Sequence, residues 1–225
     1  MNNCLQTISP GGGGSNLYII MAERDFYFTI ERSAHAEFKD RGSKFVGYTF
    51  PVASIEEFKE RLNETKKEHP KATHHCFAYR IGIDGNTYRT SDDGEPSGTA
   101  GRPILGQIDS KELVNVSVIV VRYFGGTLLG VPGLINAYKS AAALALQVSP
   151  LVQRPVEEEL IVQFDYTQLN EIMQIVKNYG CRVLKQEMQL FCSMDLAVPR
   201  NRSTEIKYIL KELRNVEVLK MNART

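Results

Sequence analysis

Nine residues, Val116-Ser117-Val118-Ile119-Val120-Val121-Arg122-Tyr123-Phe124, constrain most strongly what this chain can fold into. A run this apolar suits a strand covered on both faces, so a layer must lie on each side of its sheet. It ends in Gly125-Gly126-Thr127-Leu128-Leu129-Gly130-Val131-Pro132-Gly133, where glycine at this density permits positive φ and close approach to another molecule. An alanine-rich helix is expected from about Gly133 to Gln147. Upstream lies a polar loop, Ser91-Asp92-Asp93-Gly94-Glu95-Pro96-Ser97-Gly98-Thr99-Ala100-Gly101-Arg102-Pro103. The stretch from Ser91 to Leu146 is therefore where function is expected to sit.

At 225 residues the chain can hold two modest domains, each with its own core. A hydrophobic share of 43% and a charged share of 24% are those of an ordinary globular protein, and no apolar run reaches the roughly 20 residues of a membrane helix. A net charge of +1 argues against a strongly basic nucleic-acid binder but leaves room for a local basic patch. Cys4, Cys76, Cys181 and Cys192 lie far apart, outside any zinc-like spacing, which fits a reducing, cytoplasmic setting. Residues 1–21, with Gly11-Gly12-Gly13-Gly14-Ser15, read as a flexible N-terminal extension rather than a secretory signal.

The first domain is expected over residues 22–149. Phe26, Phe28 and Ile30 alternate along one strand, Lys44 to Phe50 gives another, and the charged stretch from Ser33 to Ser43 between them reads as a loop. Ser54 and Glu57 form a capping box for a helix carrying Ile55, Phe58 and Leu62 on one face and ending before Pro70. Ala72 to Ile83 reads as a strand, turned by Asp84-Gly85-Asn86 into Thr87 to Thr90, and a short helix is expected between Ile104 and Leu113. Pro150 and Pro155 bracket a linker, residues 150–156. Residues 157–225 then show a β-α-β-β-α-β rhythm, the pattern of a ferredoxin-like sandwich.

A helix beginning after glycines leaves its first N–H groups unpaired and carries partial positive charge, so Gly130 to Gly133 can hold a phosphate, with Arg122 and Lys139 adding charge. The same glycines can equally serve close packing of Ala141, Ala142, Ala143 and Ala145 on the sheet. Asp92, Asp93 and Glu95 offer the hard oxygens that magnesium prefers, but turn residues bonding their own backbone explain them as well. No Walker string is present, and Arg89 and Arg102 flank the loop and can neutralise it. In His74-His75-Cys76, strand alternation puts His74 and Cys76 on one side and His75 with Phe77, Tyr79 and Ile81 on the other, too few ligands for zinc. The second domain shows few aromatics for stacking bases, Phe191 being one candidate.

Thr73-His74-His75-Cys76-Phe77-Ala78-Tyr79-Arg80, the loop from Ser91 to Pro103, and Val120-Val121-Arg122-Tyr123-Phe124-Gly125-Gly126-Thr127-Leu128-Leu129-Gly130 together resemble the YigZ/IMPACT family. The resemblance spans about Asp25 to Gln147. It implies an α+β protein whose first domain has the left-handed βαβ crossover of a ribosomal protein and of elongation factor G domain IV. It implies a ferredoxin-like second domain similar to domain V of that factor. It further implies a translation-linked role and contact with RNA or the ribosome. The kinase interference of eukaryotic members depends on an additional N-terminal domain and is not carried over.

Two classes of function follow. The first is a non-enzymatic regulator without a cofactor, contacting RNA phosphate through Arg80, Arg89, Arg102, Arg122, Gly125, Gly126, Gly130, Gly133 and Lys139. The second is a magnesium-dependent nucleotide-binding enzyme, because Gly130-Val131-Pro132-Gly133-Leu134 before Ser140-Ala141-Ala142 is distantly similar to the loop of small-molecule kinases. A protein-interaction module is a third reading, and none of the three involves a membrane.

Overall fold

The computed structural model describes residues 24–189 and 191–220. The expected N-terminal extension lies outside the described residues. The chain divides into two compact units, between Gln153 and Arg154.

The first unit runs β1 (Phe26–Ile30), β2 (Ala34–Asp40), β3 (Ser43–Pro51), α1 (Ile55–Glu68), β4 (His74–Ile81), β5 (Thr87–Ser91), α2 (Gly101–Asp109), β6 (Val116–Tyr123) and α3 (Gly130–Val148). Five strands form one sheet in the order β2-β3-β6-β4-β5. The apolar run is its centre: β6 pairs antiparallel with β3 on one side and β4 on the other. Strands β3 and β4 are thus parallel to each other, joined by α1 and separated by β6, which is a βαβ crossover with one strand between its arms.

Both faces of β6 are covered, as its sequence requires. Val116, Val118 and Val120 pack with Ile104 and Ile108 of α2 and Leu134, Ala137, Tyr138 and Ala141 of α3. Ile119 and Val121 face the opposite layer, where Phe58 of α1 meets Val46, Phe77 and Tyr79. Full burial of each such aliphatic side chain stabilises by about 1.5–3 kcal/mol. Helix α3 lies close on the sheet because β3 presents Gly47 to it; a Cβ there would stand 2.7 Å from the Ala141 carbonyl oxygen.

Helix α1 starts as its capping residues dictate. Ser54 Oγ accepts from the Glu57 amide at 3.1 Å, while the Glu57 carboxylate accepts from the Ala53 amide at 2.7 Å. Two expectations are corrected. Residues 34–40, within the expected loop, form β2, whose alternating half-buried Ala34, Ala36 and Phe38 face inward on an edge strand. Residues 151–155, within the expected linker, form β7 (Leu151–Pro155), which pairs with β1.

The second unit contains β8 (Glu157–Phe164), α4 (Leu169–Asn178), β9 (Arg182–Met188), β10 (Cys192–Pro199), α5 (Ser203–Glu212) and β11 (Val216–Lys220). Its antiparallel sheet has the order β11-β8-β10-β9, the ferredoxin-like arrangement expected from the β-α-β-β-α-β rhythm. Leu160, Val162, Phe164, Met194 and Leu196 form its core with Ile172 and Val176 of α4 and Ile206 and Leu210 of α5.

Candidate functional site

Antiparallel pairing sets His74, the first residue of β4, opposite Arg122 near the end of β6. Beyond this pair the glycine turn leads into α3, and the polar loop before α2 passes alongside. These segments enclose a cleft of about 370 Å³, lined by Thr73, His74, Glu95, Pro96, Arg122, Phe124 and the first turn of α3. Leu129, at the N-cap of α3, makes no side-chain cap bond and Pro132 carries no N–H, so the Gly130 and Val131 N–H groups are the ones this helix start offers a ligand.

The floor of the cleft is a buried polar network. Arg122 Nη1 donates to Glu95 Oε1 at 2.5 Å, and the two side chains are only 6% and 4% exposed. Tyr138 of α3 donates to the same oxygen at 2.8 Å, and burial pushes the pKa of its phenol up, so it stays a donor. Cys76 lies against both the Tyr138 hydroxyl and the Asp92 carbonyl, at 3.3 and 3.0 Å. Burial pushes its thiol up, which makes it a poor nucleophile. His74 Nδ1 meets the Asp93 carbonyl at 2.7 Å and must therefore carry the proton, while Nε2 lies 3.8 Å from Glu95. The guanidinium of Arg122 stands 5.5 Å from the Phe45 ring and 5.6 Å from the Phe124 ring. Its Nε has no acceptor among the described residues.

The carboxylates of the polar loop are committed to the fold. Asp92 accepts from the Gly98, Ala100 and Gly101 amides at 2.8–2.9 Å, tying the loop to the start of α2. Burial opposes ionisation of Asp92, but these three amides outweigh it and hold the carboxyl below its ordinary range. Asp93 accepts from the His75 amide at 2.7 Å, and Glu95 belongs to the Arg122 pair. Three or more His, Cys, Asp or Glu side chains in a metal-holding group do not occur among the described residues. The alternative reading of turn residues bonding their own backbone fits Asp92, whereas the Asp93 carboxylate ties the loop to β4 instead. His75 faces the α1 layer with Phe77 and Tyr79 as the strand alternation requires, and burial lowers its basicity.

The structure gathers only part of the expected anion-binding set. Arg122 and Gly130 line the cleft, and Gly126 lies in the exposed turn beside it. Gly125 is packed instead: a Cβ there would fall 1.9 Å from the carbonyl carbon of Gly42, so its role is the docking of the β2–β3 turn. Gly133 makes room for Arg41, whose Nη2 would lie 2.6 Å from a Cβ at that position. Arg80 is buried and held by Asp109 at 2.8 Å and by the Gly85 carbonyl, so its charge is spent internally. It is six positions from His74 along β4, about 20 Å away. Arg89 is exposed on β5, opposite Tyr79, and is similarly distant. Arg102 is exposed at the start of α2; Lys139 is exposed but about 13 Å along α3 from its N-terminus.

Several cleft residues escaped the sequence reading. Arg41, at φ 43° in the β2–β3 turn, donates to the Leu129 carbonyl at 3.3 Å and has its Nε 3.6 Å from the Asp40 carboxylate, bringing an exposed, partly balanced guanidinium to the first turn of α3. Phe124, Leu128 and Val131 are 49%, 83% and 51% exposed around the cleft mouth. Their signal was present as large apolar residues inside a glycine turn. In the second unit, the sheet face turned from α4 and α5 carries Glu157, Glu159, Glu187, Asp195 and Glu217 against Arg182 and Lys185. That face is acidic and does not suit a phosphate backbone.

These features define a class: a two-unit α+β protein with a preformed cleft at an uncapped helix start. The chain belongs to the IMPACT family. The Impact N-terminal domain matches residues 41–146. The chain is 37% identical over 146 residues to IMPACT family member YvyE of Bacillus subtilis (strain 168), covering 65% of this chain and 67% of that protein. It is 32% identical over 165 residues to IMPACT family member YigZ of Escherichia coli (strain K12), covering 72% and 81%. Protein IMPACT of Rattus norvegicus is 39% identical over 101 residues, which span 42% of this chain and 31% of that protein. A solved structure titled "Crystal structure of an hypothetical protein" superposes with a TM-score of 0.71 at 27% identity, over 89% of this chain and 100% of that one. Among the described residues no helix is long and apolar enough to cross a membrane.

Proposed function

We propose that this chain is a translation-linked regulator in the cytoplasm that binds RNA or the ribosome and carries out no chemistry of its own. The first domain, residues 22–149, makes the contact with the end of its sheet that holds the cleft, and the second, residues 157–225, positions it. The observation that carries this reading is the uncapped N-terminus of α3, a 19-residue helix, with the Arg41 guanidinium lying on its first turn. A helix start of this kind attracts one negative charge. Arg102 and Lys139 are exposed but outside the cleft lining and add only longer-range attraction, whereas Arg80 and Arg122 are held inside by carboxylates. Relationship to proteins named IMPACT supports the regulatory role. The magnesium-dependent enzyme reading draws no support from Asp92, whose two oxygens already serve three amides.

The test is co-sedimentation with purified ribosomes, and titration of a structured RNA, at several salt concentrations. Binding is expected at low salt, weakening as salt rises because counterions are released on phosphate contact. Absence of binding to both at low salt refutes the proposal.

A further inference from the structure

The cleft holds more than an anion needs. A phosphate would use the helix start and Arg41 and nothing else. Yet Pro96, Phe124, Leu128, Val131 and Leu134 build apolar walls, and three of them stand well exposed at one mouth. Exposed apolar groups concentrated at a concave site mark a binding surface. The polar groups below are equally suggestive. Arg122 is 5% exposed, lines the cleft and leaves its Nε proton without an acceptor among the described residues. A buried unpaired donor is costly, and an acceptor supplied by a ligand removes that cost. Both bonds to Glu95 fall on Oε1, which leaves Oε2 to accept from a ligand N–H or hydroxyl, and His74 presents Nε2 on the same wall.

We infer that the cleft receives one unstacked nucleotide of a single-stranded RNA, with its base against Phe124 and its phosphate at the N-terminus of α3. This rests on the proposed contact with RNA. An aromatic heterocycle satisfies the walls, its edge and the sugar hydroxyls satisfy Arg122, Glu95 and His74, and one phosphodiester satisfies the helix start with Arg41. A duplex keeps its bases stacked and cannot fill the cleft. A nucleoside triphosphate brings too much charge, because Glu95 already balances Arg122.

The test uses the full chain and a fluorescein-labelled single-stranded RNA of mixed sequence, about 12 nucleotides long to span a typical site, beside its duplex. Adenosine and uridine 5′-monophosphate form a third arm. The single strand is expected to bind more tightly than the duplex and the monophosphates. Phe124→Ala is expected to weaken it about 5- to 150-fold, the loss of one stacked base. Leu128→Asp, at a position 83% exposed and thus neutral for folding, is expected to weaken it likewise. Equal binding of duplex and single strand, or an affinity unchanged in both variants, overturns the inference while leaving RNA contact standing. Tighter binding of the monophosphates makes the cleft a free-nucleotide site and overturns it too. If neither RNA binds but ribosomes still do, the inference falls and the proposed function survives; if ribosomes also fail, both fall.

Discussion

Removing the Glu95 carboxylate should unsettle the first unit more than any other single change at the cleft. Glu95→Ala leaves Arg122 with its charge buried, at 6% side-chain exposure, and takes away a partner 2.5 Å from Nη1. It also deprives the Tyr138 hydroxyl of its acceptor at 2.8 Å. Stranding one member of a buried ion pair costs about 3–5 kcal/mol, against at most about 1 kcal/mol for an exposed pair. Urea denaturation followed through amide signals of the first unit measures the loss. Pairing Glu95→Gln with Arg122→Met in a double-mutant cycle separates coupling from packing, because the double variant should recover much of what each single variant loses. A loss below about 1 kcal/mol in Glu95→Ala would refute the reasoning, since the pair would then behave as a solvated one.

Three further outcomes are expected. Gly125→Ala drives a methyl into the Gly42 backbone and should lower stability far more than Gly126→Ala, which meets open space and suffers mainly from its φ of 86°, about 1 kcal/mol; thermal melts of the two variants compare them. Asp92→Ala should cost about 1–3 kcal/mol and loosen the loop before α2, seen as faster amide exchange at Gly98, Ala100 and Gly101. Because the folded Asp92 carboxyl lies below its ordinary range, its contribution is complete above about pH 4 and is lost as pH falls through the folded value; a pH series on wild type and variant should converge only in that acid window. Of the described cysteines, half-buried Cys181 should be alkylated by iodoacetamide before Cys76, whose thiol is both buried and pushed up; mass spectrometry of partly labelled protein reads the order.

What the sequence made legible follows from periodicity and turn chemistry. The apolar run of β6 could lie only between two layers, and Ser54 with Glu57 marked the start of α1. The stripes Ile172, Met173 and Val176, then Ile206, Ile209 and Leu210, sufficed for the second unit. Strand β2 was missed because two of its inward residues are Ala34 and Ala36, too small to make the alternation stand out among His35, Glu37 and Lys39. Strand β7 was missed because prolines at both ends suggested a linker, although an edge position tolerates Pro155. Helix α3 begins at Gly130 rather than Gly133, since Pro132 is compatible with a first turn. At the site, residue chemistry picked out arginines and carboxylates but could not say which would meet. Arg80 finds Asp109 and Arg122 finds Glu95 through contacts far apart in sequence. Arg41 reaches α3 only because Gly42 and Gly125 let the hairpin dock. Such pairings are set by tertiary packing, which a single sequence does not display.

The most direct test of the account is hydrogen–deuterium exchange of the full chain with and without purified ribosomes at low salt. Slowed exchange across residues 124–134, with the β2–β3 turn at Arg41 and Gly42, is the predicted result. Protection confined to the second unit, or none anywhere, would contradict the claim that the cleft end of the first unit is the contact surface.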